Sequence, residues 1–137
     1  MTMRFLDDGM SVGEIAQRVA AGEIVLAVAE HEMSVGAEHL RARLFADCVL
    51  AGAPVTGIIF RRLRDGRLVV LDGNKRLRAL VDLLSGALQP MGTLGVTELT
   101  VPAKRQLRRV VCATVEVPVD TPEDEVQALA ATLRKLG

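Results

Sequence analysis

Tryptophan and tyrosine are absent from these 137 residues and phenylalanine occurs three times, so the aromatic platforms on which proteins stack single-stranded nucleic acid are not expected. Cysteine is nearly absent too. Cys48 and Cys112 lack metal-ligand spacing and fall inside predicted regular elements, which reads as two buried free thiols and no disulfide. Neither sign of charge is in excess. Seventeen basic and seventeen acidic residues cancel, which removes any inference of nucleic-acid binding from net charge. Long apolar runs are missing as well: Ile24 to Ala29 and Gly57 to Phe60 fall far short of the roughly 20 residues that span a bilayer. The opening Met-Thr-Met-Arg-Phe-Leu-Asp-Asp has neither the apolar segment nor the small-residue cleavage site of a signal peptide. A cytoplasmic protein without a membrane partner is the expectation, and no repeat or low-complexity tract interrupts it.

What is present is the composition of a folding chain. Half the residues are hydrophobic and a quarter charged, enough to build a core, and the length suits one domain over residues 1–137. The charges are unevenly placed. Arg61, Arg62, Arg64, Arg67, Lys75, Arg76 and Arg78 crowd together, and Asp120, Glu123, Asp124 and Glu125 gather near the end.

Periodicity predicts an α/β (α+β) domain with a small mixed sheet of about four to five strands and flanking helices. Ser11 and Glu14 form a capping-box pattern before a helix from about Val12 to Ala20, ended near Gly22. Ile24 to Val28 reads as a strand, and the polar stretch Glu30 to Glu38 stays unassigned. Leu40, Leu44, Phe45 and Cys48 predict the apolar stripe of a second helix, stopped by Gly52-Ala53-Pro54 and covering the sheet from one side. Ile58-Ile59-Phe60 and Leu68 to Leu71 flank Arg64-Asp65-Gly66-Arg67, an antiparallel hairpin signal. Leu77, Leu80, Val81 and Leu84 then recur at helical spacing up to Gly86. A loop from Ala87 to Gly95, a short helix near Pro102 to Arg108, a strand from Val110 to Val117 and an acidic-capped last helix with Val126, Leu129, Ala130 and Leu133 on one face complete the chain.

The chemistry is expected at Leu71-Asp72-Gly73-Asn74-Lys75-Arg76, where an apolar strand runs through a glycine turn into a helix. The free N–H groups of that helix start suit an anion. Gly73 permits close backbone approach, Lys75 and Arg76 neutralise phosphate charge, and Asp72 is placed to hold magnesium or orient a water. The same residues also fit a plain helix start, with Asp72 as N-cap and Lys75 and Arg76 as solvated charges.

Gly73-Asn74-Lys75-Arg76-Leu77-Arg78-Ala79 resembles the Gly-x-x-Arg-x-x-Ala motif of the ParB/sulfiredoxin-like superfamily. Leu71 to Leu77 is more similar still to the Asp-Gly-Gln-Gln-Arg motif in the N-terminal domain of GmrSD-type restriction endonucleases. Ser11 to Ile15, Gly22-Glu23-Ile24 and Phe45 to Val55 resemble the same family, so the likeness runs along most of the chain. It implies a nucleotide-phosphate site at Asp72, Gly73, Asn74, Lys75 and Arg76, with a nucleoside triphosphate and Mg2+ as cofactors and Asp72 as the metal ligand. Asp72 and Arg76 would be the catalytic pair of an NTP-hydrolysing or nuclease-associated domain in phage or bacterial defence, with DNA as a further partner. Two departures stand against catalysis. The family's Pro-x-x-Gln-Arg segment has no counterpart in Leu26 to Ser34, and Asn74-Lys75 replaces Gln-Gln. A His-Asn-His nuclease domain is not expected to follow. The sulfiredoxin reaction is excluded by Asn74, which stands where the nucleophilic cysteine would be. The chain is too short for a chromosome-partition ParB, whereas a kinase acting on a small hydroxyl substrate stays open.

Three further groups of residues have a functional and a plainer reading. Glu30-His31-Glu32 lies where the missing segment would be and offers a replacement base or metal ligand, although an exposed loop histidine is the plainer reading, and His39 reads as structural. The hairpin arginines fit either a nucleic-acid backbone or a charged, aggregation-resistant strand edge. Lys104, Arg105, Arg108 and Arg109 form a second basic cluster that the sequence does not place. The alternative to a nucleotide-binding domain is a catalytically silent interaction module, phage-encoded or acting in counter-defence, that binds a host protein.

Overall fold

The computed structural model describes residues 6–27 and 36–136. The elements run β1 (Leu6–Ser11), α1 (Val12–Ala20), β2 (Ile24–Val25), α2 (Gly36–Leu50), β3 (Val55–Arg62), β4 (Leu68–Asp72), α3 (Asn74–Ser85), α4 (Val101–Arg109), β5 (Val111–Val117) and α5 (Glu123–Leu136). The fold is a mixed α/β one, as the periodicity predicts. None of its described helices is long and apolar enough to cross a membrane.

One five-stranded sheet is ordered β1-β5-β3-β4-β2. β3 and β4 form the antiparallel hairpin that Asp65-Gly66 signals, β2 joins β4 in parallel, and β5 lies between β3 (parallel) and β1 (antiparallel). The alternation of side chains sends Ile58, Phe60, Leu68, Val70 and Cys112 into one core with Ile15 of α1, Ala46 of α2, Leu80 of α3 and Leu107 of α4. Val117 has the opposite parity to Cys112 and, with Val126 of α5, lies buried outside that cluster. The last helix thus covers the other face of the sheet, and the Arg61–Glu123 ion pair ties its first turn to β3.

Several expectations are corrected. β1 has no signal in the sequence reading; it exists because its whole length pairs with β5. β2 is two residues long, and the rest of the predicted strand is irregular at Leu26 and Ala27 or lies outside the described residues. β5 begins at Val111, since Val110 caps α4.

α2 is rotated from its predicted orientation. Leu40 and Leu44 are exposed, while Ala42, Ala46, Asp47 and Val49 face inward. The cause is the loop after α3: the Asp47 carboxylate accepts hydrogen bonds from the Gly92 amide at 3.1 Å, the Thr93 amide at 3.2 Å and the Thr93 hydroxyl. Arg43 donates to the Gln89 and Pro90 carbonyls. Burying Asp47 with its donors turns Cys48 outward, so Cys48 is exposed rather than buried as expected; Cys112 is buried, and both thiols are free.

Candidate functional site

Two β-bulges shape the end of the sheet where β2 and β4 finish and β3 begins. Val55 pairs with Cys112 but Ile58 with Thr114, so β3 carries an extra residue around Gly57, whose φ of +75° favours glycine. On the other side Ile59 pairs with Asp72 and Phe60 with Val70, leaving Leu71 as the extra residue of β4. The chain then turns through Gly73, at φ +95°, into α3. That φ favours glycine, and a Cβ there would in addition stand 2.5 Å from Ile58 Cδ1, the end of a buried side chain that would have to shift.

Gly73 is itself the N-cap of α3 and supplies no side-chain cap, which corrects the reading of Asp72 as the capping residue. Asp72 closes β4, and its carboxylate has no hydrogen-bond or ion-pair partner among the described residues. Leu77 N donates to Gly73 O at 2.9 Å as the first bond of the helix. The amides of Asn74, Lys75 and Arg76 therefore precede the helical ladder and point out of its end.

The three side chains that follow Gly73 are engaged by the protein. Asn74 Oδ1 accepts from the Ala27 amide at 2.8 Å and its Nδ2 donates to Val70 O at 3.1 Å, joining the exit of β2 to β4. Lys75 Nζ lies 3.1 Å from Glu38 Oε1, and this contact, with Arg41, holds the Glu38 carboxyl below its ordinary range. Arg76 donates through Nη1 to the Thr56 carbonyl in the β3 bulge. A guanidinium has five N–H donors, so this bond leaves most of Arg76 available.

Asp72 to Arg76 line an open cavity of about 450 Å3 together with Leu133 and Arg134 of α5. These two were not anticipated. The only signal in the sequence was the apolar stripe Val126, Leu129, Ala130 and Leu133, whose end carries Arg134; nothing local says that it reaches the turn. Arg134 has no carboxylate partner among the described residues. The cavity thus combines backbone donors, two guanidinium groups and one carboxylate, a set suited to an anion with several oxygens.

Glu30-His31-Glu32 lies outside the described residues, and no cluster of three metal-ligating side chains occurs among those described. A magnesium ion fits here only in the mode where one carboxylate, Asp72, shares it with ligand phosphates and water. The basic stretch is largely neutralised: Arg61 pairs with Glu123, Arg62 with Glu116 at 2.8 Å, Arg67 with Asp65 at 2.7 Å and Arg78 with the buried Asp82 at 3.0 Å. Lys104, Arg105, Arg108 and Arg109 sit on α4, and none of them lines the cavity at the turn. No protein family, curated protein or solved structure matches the chain in comparisons with known proteins.

Proposed function

We propose that this protein is a nucleotide-phosphate-binding domain of the ParB/sulfiredoxin-like kind, taking the phosphates of a nucleoside triphosphate at the start of α3. The observation that carries it is the convergence, in one cavity of about 450 Å3, of the α3 amides, Asp72, Arg76 and Arg134. The amides and Arg76 would hold phosphate oxygens. Arg134 would approach from the opposite wall, and Asp72 would share a magnesium ion with the ligand. With a single carboxylate lining the cavity, binding is better supported than hydrolysis or DNA cleavage, which would both fall to Asp72 as the water-orienting group.

A second reading is favoured by one observation. Asn74, Lys75 and Arg76 all have protein partners, so the motif also serves to lock β2, α2 and β3 around the turn. A module that retains the motif for folding and binds a host protein would look the same.

Isothermal titration with each of the four ribonucleoside triphosphates, with and without magnesium, separates the two. Saturable binding that weakens about tenfold or more in Arg134→Ala, a variant that breaks no bond among the described residues, and more so in Arg76→Ala, is the expected result. No binding by the wild type under any condition removes the nucleotide reading and leaves the interaction module.

A further inference from the structure

α2 is apolar on two opposite sides. Its inner side packs Ala42, Ala46 and Val49 against the core. Along the outer side run Ala37, Leu40, Leu44 and Cys48, and then Ala51, whose amide still bonds to Asp47 O in the manner of the helix; all five are exposed. The larger apolar side chains are therefore the outer ones: Leu40 is 48% and Leu44 41% exposed, while the apolar residues that this helix buries are two alanines and a valine. A helix that is apolar on every side is one that is covered on every side, and among the described residues only the inner side is covered.

We propose that the outer stripe of α2 is a homodimer interface, on which a second copy of the chain lays its own α2 antiparallel across a two-fold axis at Leu44. The spacing of the stripe points to a second copy as its occupant. The five positions lie three, four, four and three residues apart, so they read the same in both directions about Leu44. A two-fold axis there sets Leu44 against the partner's Leu44, Leu40 against the partner's Cys48 and Ala37 against the partner's Ala51. Such an interface is isologous, with leucine at its centre and small residues at both ends, where two helices can close on each other. No charge lies in the stripe. Arg41, the exposed cation beside it, is paired with Glu38 at 2.9 Å, and the antiparallel arrangement keeps the two copies of Arg41 about 9 Å apart along the helix axes. A strip about 21 Å long and one helix wide buries on the order of 500 Å2 of each copy, about 1,000 Å2 in all. That is the lower end of specific interfaces and fits a reversible dimer of micromolar affinity.

Sedimentation velocity from about 1 μM to 1 mM is expected to show one copy converting to two. Leu44→Glu, at an exposed position outside the core, should weaken association about a hundredfold by placing like charges on the axis. Oxidative cross-linking reads the register. In a Cys48→Ser background, Leu44→Cys sets two thiols on the axis, where helices about 8–10 Å apart bring facing Cα atoms into disulfide range, and a covalent dimer should form. The wild-type Cys48 thiols, about 12 Å apart along the axis, should give none under the same conditions. Alkylation of Cys48 should proceed through the dissociated copies and slow as protein concentration rises. Thermal melting confirms that each variant is folded, and the cross-linking keeps the test decisive should Leu44→Glu unfold. A chain that stays single over the whole range overturns the interface and leaves the stripe to a different partner. A dimer indifferent to Leu44→Glu, or one cross-linked more readily through Cys48 than through the thiol at position 44, overturns it too, because it then uses another face or register.

Discussion

The guanidinium of Arg76 rests against the backbone of Gly57: a Cβ at Gly57 would stand 2.9 Å from Arg76 Nη1, which donates to the carbonyl of Thr56 one residue earlier. The bulge in β3 and the first turn of α3 therefore form one unit. Gly57 is favoured as glycine by its φ of +75°, and a Cβ there would also displace the Arg76 guanidinium from its bond to Thr56 O.

Those two reasons can be measured apart. Gly57→Ala should destabilise the fold by about 1–3 kcal/mol in urea unfolding. In an Arg76→Ala background the same substitution should cost less, because the steric part is gone and only the backbone part remains. Strict additivity of the two substitutions would show that Arg76 and Gly57 do not share the contact.

The two thiols should differ in reactivity. Cys48 is exposed on α2, whereas Cys112 is buried in β5 and burial pushes its thiol up to about 11. The thiolate is the reactive form, so iodoacetamide at pH 8 should add one group to the native protein, at Cys48, and two in denaturant. Mass spectrometry of the native reaction reads this directly; rapid double labelling would mean that β5 opens.

Much of this arrangement was readable from the sequence, and its failures have a common cause. The β3–β4 hairpin and α3 were legible because Asp65-Gly66, Gly73 and the spacing of Leu77, Leu80 and Leu84 are local signals. β1 was not, because Leu-Asp-Asp-Gly-Met-Ser has no strand period and becomes a strand only through its register with β5. The face of α2 was misread for a similar reason. Leu40 and Leu44 outweigh Asp47 on any hydrophobic scale, but the amides of Gly92 and Thr93 need an acceptor, and Asp47 supplies it. Around the turn, Asp72 to Arg76 are contiguous in the sequence, whereas Arg134 and the Thr56 carbonyl arrive by tertiary folding and leave no local trace.

Asp47 also gives the fold a pH dependence that can be isolated. The Thr93 hydroxyl, followed by the Gly92 and Thr93 amides, holds its carboxyl below the ordinary 3.8. A folded value lower than the unfolded one means that the ionised carboxylate stabilises the fold above the unfolded value, and that this contribution fades as pH falls through the folded one. Asp47→Asn should cost about 1–2 kcal/mol at pH 7. Because Glu38, Asp65 and Glu123 are also lowered, the informative quantity is the gap between wild type and variant. Urea unfolding across pH should show that gap shrinking below about pH 4. A constant gap would mean that the charge of Asp47 does not hold the loop.

The strand order also dictates a sequence of events in time. β1 and α1 are made first, yet β1 pairs with β5 alone, and the amide of Val12 at the head of α1 bonds to Val110 O. β1 and that bond must wait for residues 110–117 to be synthesised, although α1 can already pack on β2 and α3. During translation the β3–β4 hairpin and α3 have their partners in reach while β1 waits for β5, so a strand that precedes them in the chain is secured after them.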